Sequence, residues 1–187
     1  MGRKMPDQSK ALDALHVAAA VAGEGEGWAM LLRRRGPRLY SHARRLSDSH
    51  EAAQDIVQDA WIEIHRGLPG LREPSAFLPW ALRIVTRRAA AEVRGQIGRR
   101  RLARELAAEP EPEPQASGDG EATALAHAIA ALPRDQAATL ALFYLEDMRV
   151  AEVAIALDVP PGTVKTRLMH ARQKLRAILE GEDHEIA

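Results

Sequence analysis

Apolar positions recur along this chain with helical spacing, and no run alternates as a half-buried strand would. Residues 10–22 form a short apolar-rich helix that ends at the Gly23 to Gly27 stretch. Over 28–47, Trp28, Leu31, Leu32, Leu39, Ala43 and Leu46 approximate one helical face, and Gly36-Pro37 predicts a break or kink. Ser47, Asp48 or Ser49 can cap a helix over 50–66, whose Ala53, Ile56, Val57, Ala60, Trp61 and Ile64 make a single apolar stripe. Gly67 to Pro74 reads as a loop, and a long helix over 75–104 turns Phe77, Trp80, Ile84 and Val85 inward.

After a gap the helical pattern resumes. It predicts helices at 122–131, 134–146, 149–157 and 161–179, with Asp158-Val-Pro-Pro161 as a tight turn before the last. Pro161 suits a first helical turn, where its missing amide hydrogen costs nothing. A short apolar helix, a tight turn and a basic helix form the helix-turn-helix pattern. At 100° per residue, Val164, Leu168, Ala171, Leu175 and Ile178 of the last helix share a narrow arc. Lys165, Thr166, Met169, His170, Arg172, Gln173 and Arg176 lie away from that arc, and Arg167 and Lys174 flank it. Such a helix can seat its stripe on its own unit and lie in a major groove, its first residues at base edges and its cations at phosphates. Thr163, near the helix start, can present backbone amides to a phosphate.

Charge changes the picture, because the formal net charge of zero hides strong segregation. Residues 28–104 carry 16 Lys and Arg against 7 Asp and Glu, whereas 105–124 carry 0 against 6. A basic block beside an acidic strip suits a nucleic-acid partner and a segment held off it. The strip contains Glu109 to Pro114, alternating Glu and Pro, then Ser117 to Gly120. Proline stops helix and sheet, and like charges extend the chain, so the strip reads as a tether. Twenty residues span at most roughly 65–70 Å, enough for two units to occupy distant sites on one large partner.

Three surfaces carry candidate chemistry. Glu51, Asp55, Asp59 and Glu63 repeat every four residues with no Lys or Arg inside 51–65 to offset them, and Gln54 and Gln58 lie alongside. Like-charge pairs at this spacing cost roughly 0.2–0.5 kcal/mol each, so the stripe suits either a solvated face or a basic partner. The helix over 75–104 carries Arg83, Arg87, Arg88, Arg94 and four further arginines, with Phe77 and Trp80 at its entrance. Cations beside aromatics suit a strand with unstacked bases, although the two rings on their own read first as core packing. The third surface is the polar side of the last helix. The chain has no Cys, which excludes disulfides, thiolate metal sites and cysteine nucleophiles. Its 7 His are scattered, without HxxxH or HExxH pairs, and neither a GxxxxGK[ST] nor a GxSxG motif occurs. No apolar run approaches the ~18 residues of a membrane span. No catalytic group, metal site or cofactor is therefore expected.

With these residues in view, the chain resembles the extracytoplasmic-function (ECF) sigma factors of bacterial RNA polymerase. Pro37 to Tyr40 looks like the start of the family's region 2, and Asp55-Ile-Val-Gln-Asp59-Ala-Trp61 like its core-polymerase-binding helix. Phe77-Leu-Pro-Trp80-Ala-Leu-Arg-Ile84 is similar to its promoter-melting segment. Leu132 to Gln136, Glu152-Val-Ala154, Pro161 to Leu168 and Ala171 to Arg176 resemble its region 4 helix-turn-helix. Arg87 and Ala91 stand where the family often has Asn and Asp, and Gly36 where an aromatic is usual.

The resemblance implies an all-α fold of two small domains: sigma region 2 over 8–104 and region 4 over 124–180, joined by an acidic flexible linker over 105–123. It implies that Glu51, Gln54, Asp55, Gln58, Asp59 and Trp61 grip a basic coiled coil on the polymerase's largest catalytic subunit, and that the flap region is a further contact. Arg72, Phe77, Trp80, Arg83, Arg87, Arg88 and Arg94 would hold the −10 element, including a flipped base. Thr163, Lys165, Thr166, Arg167, Met169, His170, Arg172 and Lys174 would read the −35 duplex. Partners would be core RNA polymerase, promoter DNA and an anti-sigma factor, in the bacterial cytoplasm and without membrane insertion. Two rivals remain: a sigma-like decoy that binds only an anti-sigma factor, and a stand-alone helix-turn-helix regulator. Co-purification with core polymerase separates all three.

Overall fold

The computed structural model describes residues 6–106, 128–129 and 131–185. The helix expected over 122–131 and the linker over 105–123 therefore lie almost wholly outside the described residues. Among those residues there are helices and no strand. The first unit comprises α1 (Pro6–Val21), α2 (Gly25–Leu46), α3 (His50–Gly67) and α4 (Phe77–Leu106). Short 3-10 turns at Leu68–Gly70 and Pro74–Ala76 shape the loop before α4. The second unit comprises α5 (Arg134–Tyr144), α6 (Val150–Leu157) and α7 (Pro161–Glu185).

The helical stripes become the core. Leu31, Leu39 and Ala43 of α2 meet Ala53, Ile56, Ala60 and Ile64 of α3 and Phe77, Leu82 and Val85 of α4, all buried. Ser49 caps α3, its hydroxyl accepting from the Ala52 amide at 3.0 Å. Gly23, at φ 85°, turns the chain from α1 into α2. A Cβ at Gly27 would lie 2.6 Å from both the Ala19 Cβ and the Ala20 nitrogen, so the close crossing of α1 and α2 needs a glycine there.

One expectation changes. The break at Gly36-Pro37 does not occur: α2 continues through Pro37. Pro37 is exposed, so the carbonyl it leaves unpaired is on the solvent side, where water can bond it. Asp13, a charged residue within the apolar-rich α1, is buried. It is 1% exposed and forms a forked pair with Arg35 of α2, Nε to Oδ1 at 2.8 Å and Nη2 to Oδ2 at 2.5 Å. The Ser9 hydroxyl accepts a further bond from Arg35 at 2.8 Å.

The helix-turn-helix has the expected ends. The Glu152 carboxylate accepts from the Arg149 amide at 2.9 Å at the start of α6, and Asp158 closes α6 in the left-handed conformation at φ 55°. The Val159 amide then donates to the Ala154 carbonyl at 3.1 Å, and α7 starts at Pro161.

The two units are not held apart. α6 packs along α4 and α5 against α2, and Val153, Ala156 and Leu157 join one apolar cluster with Val85 and Ala89. The Thr86 hydroxyl of α4 donates to the Ala156 carbonyl of α6 at 2.7 Å. His42 Nε2 lies 2.9 Å from the same hydroxyl. Because that hydrogen goes to a carbonyl, Nε2 is the donor to Thr86, and the buried Nδ1 has no partner. Burial, reinforced by the Arg45 charge, lowers the His42 pKa to about 3, so the ring is neutral. Ion pairs rim the junction: Lys10 with Glu152, Arg38 with Glu146 at 3.1 Å, Arg83 with Asp158 at 2.8 Å, and Asp48 with Arg134.

Candidate functional site

The polar side of α7 is the most complete of the three surfaces. Val164, Leu168 and Ala171 are buried, while Leu175 and Ile178 are half-buried. Opposite them, Lys165, Thr166, Met169, His170, Arg172 and Lys174 are all exposed. The sequence-derived arc is thus the seam between α7 and its unit, and the reading side faces solvent. Thr163 is half-buried at the helix start. Two cations are less free than the sequence suggests. Arg167 Nε is 3.1 Å from the Asp135 carboxylate of α5. Arg172 Nε donates to the Tyr144 hydroxyl at 2.9 Å, with its guanidinium 5.6 Å from that ring's centroid. Both contacts fix α7 against α5 and orient the exposed face.

On α3, Glu51, Gln54, Asp55, Gln58 and Asp59 are exposed along one side. The stripe is only half unpaired. Arg88 of α4 reaches Glu63 at 2.8 Å and Asp59 at 3.6 Å. Glu51 and Asp55 have no ion-pair partner among the described residues. Trp61 is half-buried and meets Trp28 edge to face, centroids 5.5 Å apart, so much of its surface serves packing.

The α4 surface divides the expected −10 residues. Phe77 is fully buried in the core and cannot stack on a base without unfolding α4. Trp80 is half-buried across Gly67, where an added Cβ would lie 3.1 Å from its ring. Arg72 is exposed in the loop, beside a turn in which the Glu73 carboxylate accepts from the Ser75 hydroxyl at 2.7 Å. Those bonds hold the Glu73 pKa below its usual value. Arg87 and Arg94 are exposed without an ion-pair partner among the described residues, while Arg83 is held by Asp158 and Arg88 by α3. Arg87, Arg88 and Arg94 line a cleft of about 550 Å³ whose far wall is Leu157 and Asp158 of the second unit.

Sequence reasoning missed Asp158 and Tyr144. Asp158 was read only as a turn residue; its left-handed cap position was a signal, but its partner on α4 was not. The Tyr144 ring at the end of α5 had no periodic role that would single it out. Among the described residues no cluster of His, Asp or Glu is arranged to hold a metal ion, and no helix is long and apolar enough to cross a membrane.

Comparison with known proteins gives these surfaces their context. Residues 31–99 match the family model described as Sigma-70 region 2, and residues 122–175 that described as Sigma-70, region 4. The ECF RNA polymerase sigma factor SigM of Mycobacterium tuberculosis is 32% identical over 172 residues, covering 89% of this chain and 84% of SigM. The ECF sigma factor SigE of Mycolicibacterium smegmatis is 30% identical over 166 residues, covering 86% of this chain and 64% of SigE. Among solved structures, the sigma factor RpoE of Bartonella quintana, in complex with the anti-sigma factor NepR, superposes with a TM-score of 0.64 at 22% identity, over 82% of this chain and 96% of that one. CnrH in complex with the cytosolic domain of CnrY gives the same TM-score at 23% identity, over 91% and 98%. Both structures share the helical fold. With both sigma regions present in order and a relative matched along most of its length, the chain belongs to the ECF RNA polymerase sigma factors, which direct RNA polymerase to promoters.

Proposed function

We propose that this sigma factor divides promoter selection among its three surfaces. The exposed end of the α3 stripe, Glu51 to Asp59 with Gln54 and Gln58, docks on a basic element of core polymerase. Asp55 is its centre, since Asp59 is shared with Arg88. The α7 face, led by Lys165, Thr166, Met169 and His170, reads the −35 duplex in the major groove, and Lys174 and Arg172 hold phosphates. Arg72, Trp80, Arg83, Arg87 and Arg94 act at the −10 element as it opens; Phe77 supports them from the core. The observation that carries this reading is the continuous exposed polar face of α7, opposite a buried stripe and fixed by Asp135 and Tyr144. The chain contributes no catalytic group of its own and works in the cytoplasm. Its regions 2 and 4 fall within 8–104 and 124–180, joined by the acidic segment between them. An anti-sigma factor is a further partner, since the similar RpoE was solved with one.

Footprinting tests the reader. With core polymerase and a responsive promoter, Lys165→Ala with His170→Ala abolishes protection at −35 while leaving core binding intact. Unaltered −35 footprints would reject the role given to α7.

A further inference from the structure

The phosphate contacts given to α7 draw on a residue outside that helix. We propose that the Tyr144 hydroxyl, at the end of α5, and the Arg172 guanidinium of α7 form one seat for a single phosphate of the −35 duplex. This deepens the reading of α7 given above and rests on it.

The hydrogen-bond roles follow from the groups themselves. Arg172 Nε can only donate, and it donates to the Tyr144 hydroxyl oxygen at 2.9 Å. The oxygen is the acceptor there, so the hydroxyl hydrogen is left for another acceptor. Among the described residues neither that hydrogen nor the terminal nitrogens of Arg172 have a hydrogen-bond or ion-pair partner. Tyr144 is 51% exposed, and Arg172 is exposed beside it. One O–H and the outer N–H groups of a guanidinium therefore meet at the surface next to a full positive charge. A phosphate, with several acceptor oxygens and negative charge, matches that set.

The seat is held in place before any ligand arrives. Phe143, packed on the buried cluster, meets the Tyr144 ring edge to face with centroids 5.0 Å apart. The Arg172 guanidinium lies 5.6 Å from the centroid of the same ring. Fixing a long side chain in advance removes part of the ordering cost of binding. The seat is also on the right side of α7. Lys165, Met169 and Arg172 are spaced by four and three residues and share one exposed side. Arg172 lies two turns, about 10 Å, beyond Lys165 along the axis. The start of the helix can thus meet base edges while Arg172 meets the backbone.

The other end of α5 supplies a contrast. There the Asp135 carboxylate lies 3.1 Å from Arg167 Nε. That carboxylate offsets the Arg167 charge and repels a phosphate. Tyr144 is uncharged, so it orients Arg172 and leaves its charge for DNA. One helix therefore withdraws one arginine of α7 from the DNA backbone and presents the other to it.

The test uses the full chain with core polymerase on a responsive promoter whose −35 phosphates are replaced, one at a time, by uncharged methylphosphonate. In the parent, one position should carry a several-fold affinity penalty that Arg172→Ala erases and Lys174→Ala leaves in place. Tyr144→Phe keeps the ring and its packing but removes the hydroxyl. It should bind the unmodified promoter several-fold more weakly and show a reduced penalty at that one position. Combined with Arg172→Ala it should cost nothing further. The proposal is overturned if Tyr144→Phe binds as the parent does, if its loss is spread evenly over all positions, or if the two substitutions add in full. If the parent reads −35 bases while Tyr144→Phe matches it, only the seat fails. If the parent is indifferent to base changes at −35, the reading of α7 fails and the seat falls with it.

Discussion

Asp13 shows how one side chain can mislead a hydropathy reading. In sequence it looks like a polar break in an apolar stretch; in the fold it is the buried partner of Arg35. Removing one member of such a pair strands the other charge away from water. Asp13→Ala is therefore expected to cost about 3–5 kcal/mol, read as a lower midpoint in urea denaturation. His42 makes a pH-dependent contribution. Its folded pKa is lowered to about 3 from 6.5, so below pH 6.5 the unfolded chain binds a proton that the folded chain refuses. Stability is complete above that value and falls as the solution is acidified. At pH 5 the loss from this residue is about 2 kcal/mol, and His42→Leu should remove that component from the acid limb of a urea-midpoint profile. Neither role was legible beforehand, because both depend on what α2 faces, and periodicity does not state which helix lies opposite.

The helices themselves were largely legible. The stripe of α3, its Ser49 cap, the turn at Asp158 and the arc of α7 follow from spacing and capping chemistry alone. What spacing could not supply was the partner of an exposed stripe. Asp59 and Glu63 look unpaired within α3, but their counter-ion, Arg88, lies one helix later. That pairing sharpens the expected effect of charge reversal. Asp55→Lys should weaken retention on core polymerase without moving the melting temperature, whereas Asp59→Lys, facing Arg88, should lower both. Equal pull-down of core polymerase by parent and Asp55→Lys would remove α3 from the account. Gly27 supplies a purely structural contrast. Gly27→Ala forces a methyl into the backbone of α1 and should destabilise the fold by about 1–3 kcal/mol, seen in the same denaturation assay, with the α3 surface untouched.

As a whole, the molecule combines two helical units that the sequence separates clearly and the fold brings together. Charge segregation marked the basic first unit, and the acidic rim of the second, Glu146, Glu152 and Asp158, meets that unit's cations. The number of residues between the units is enough for packed and separated arrangements alike, so composition alone does not decide between them. The apolar contact between the units is made by Val153, Ala156 and Leu157 of α6, which share one buried cluster with Val85 and Ala89 of α4. The central claim is that this chain, through α3, α4 and α7 together, chooses where polymerase starts. The most direct measurement is transcription in vitro with core polymerase on pooled genomic fragments, followed by mapping of the RNA 5′ ends. The account predicts discrete starts that need the chain and share two sequence blocks at fixed spacing, the upstream block losing its influence with Lys165→Ala. Starts no different from those of core polymerase alone would contradict it.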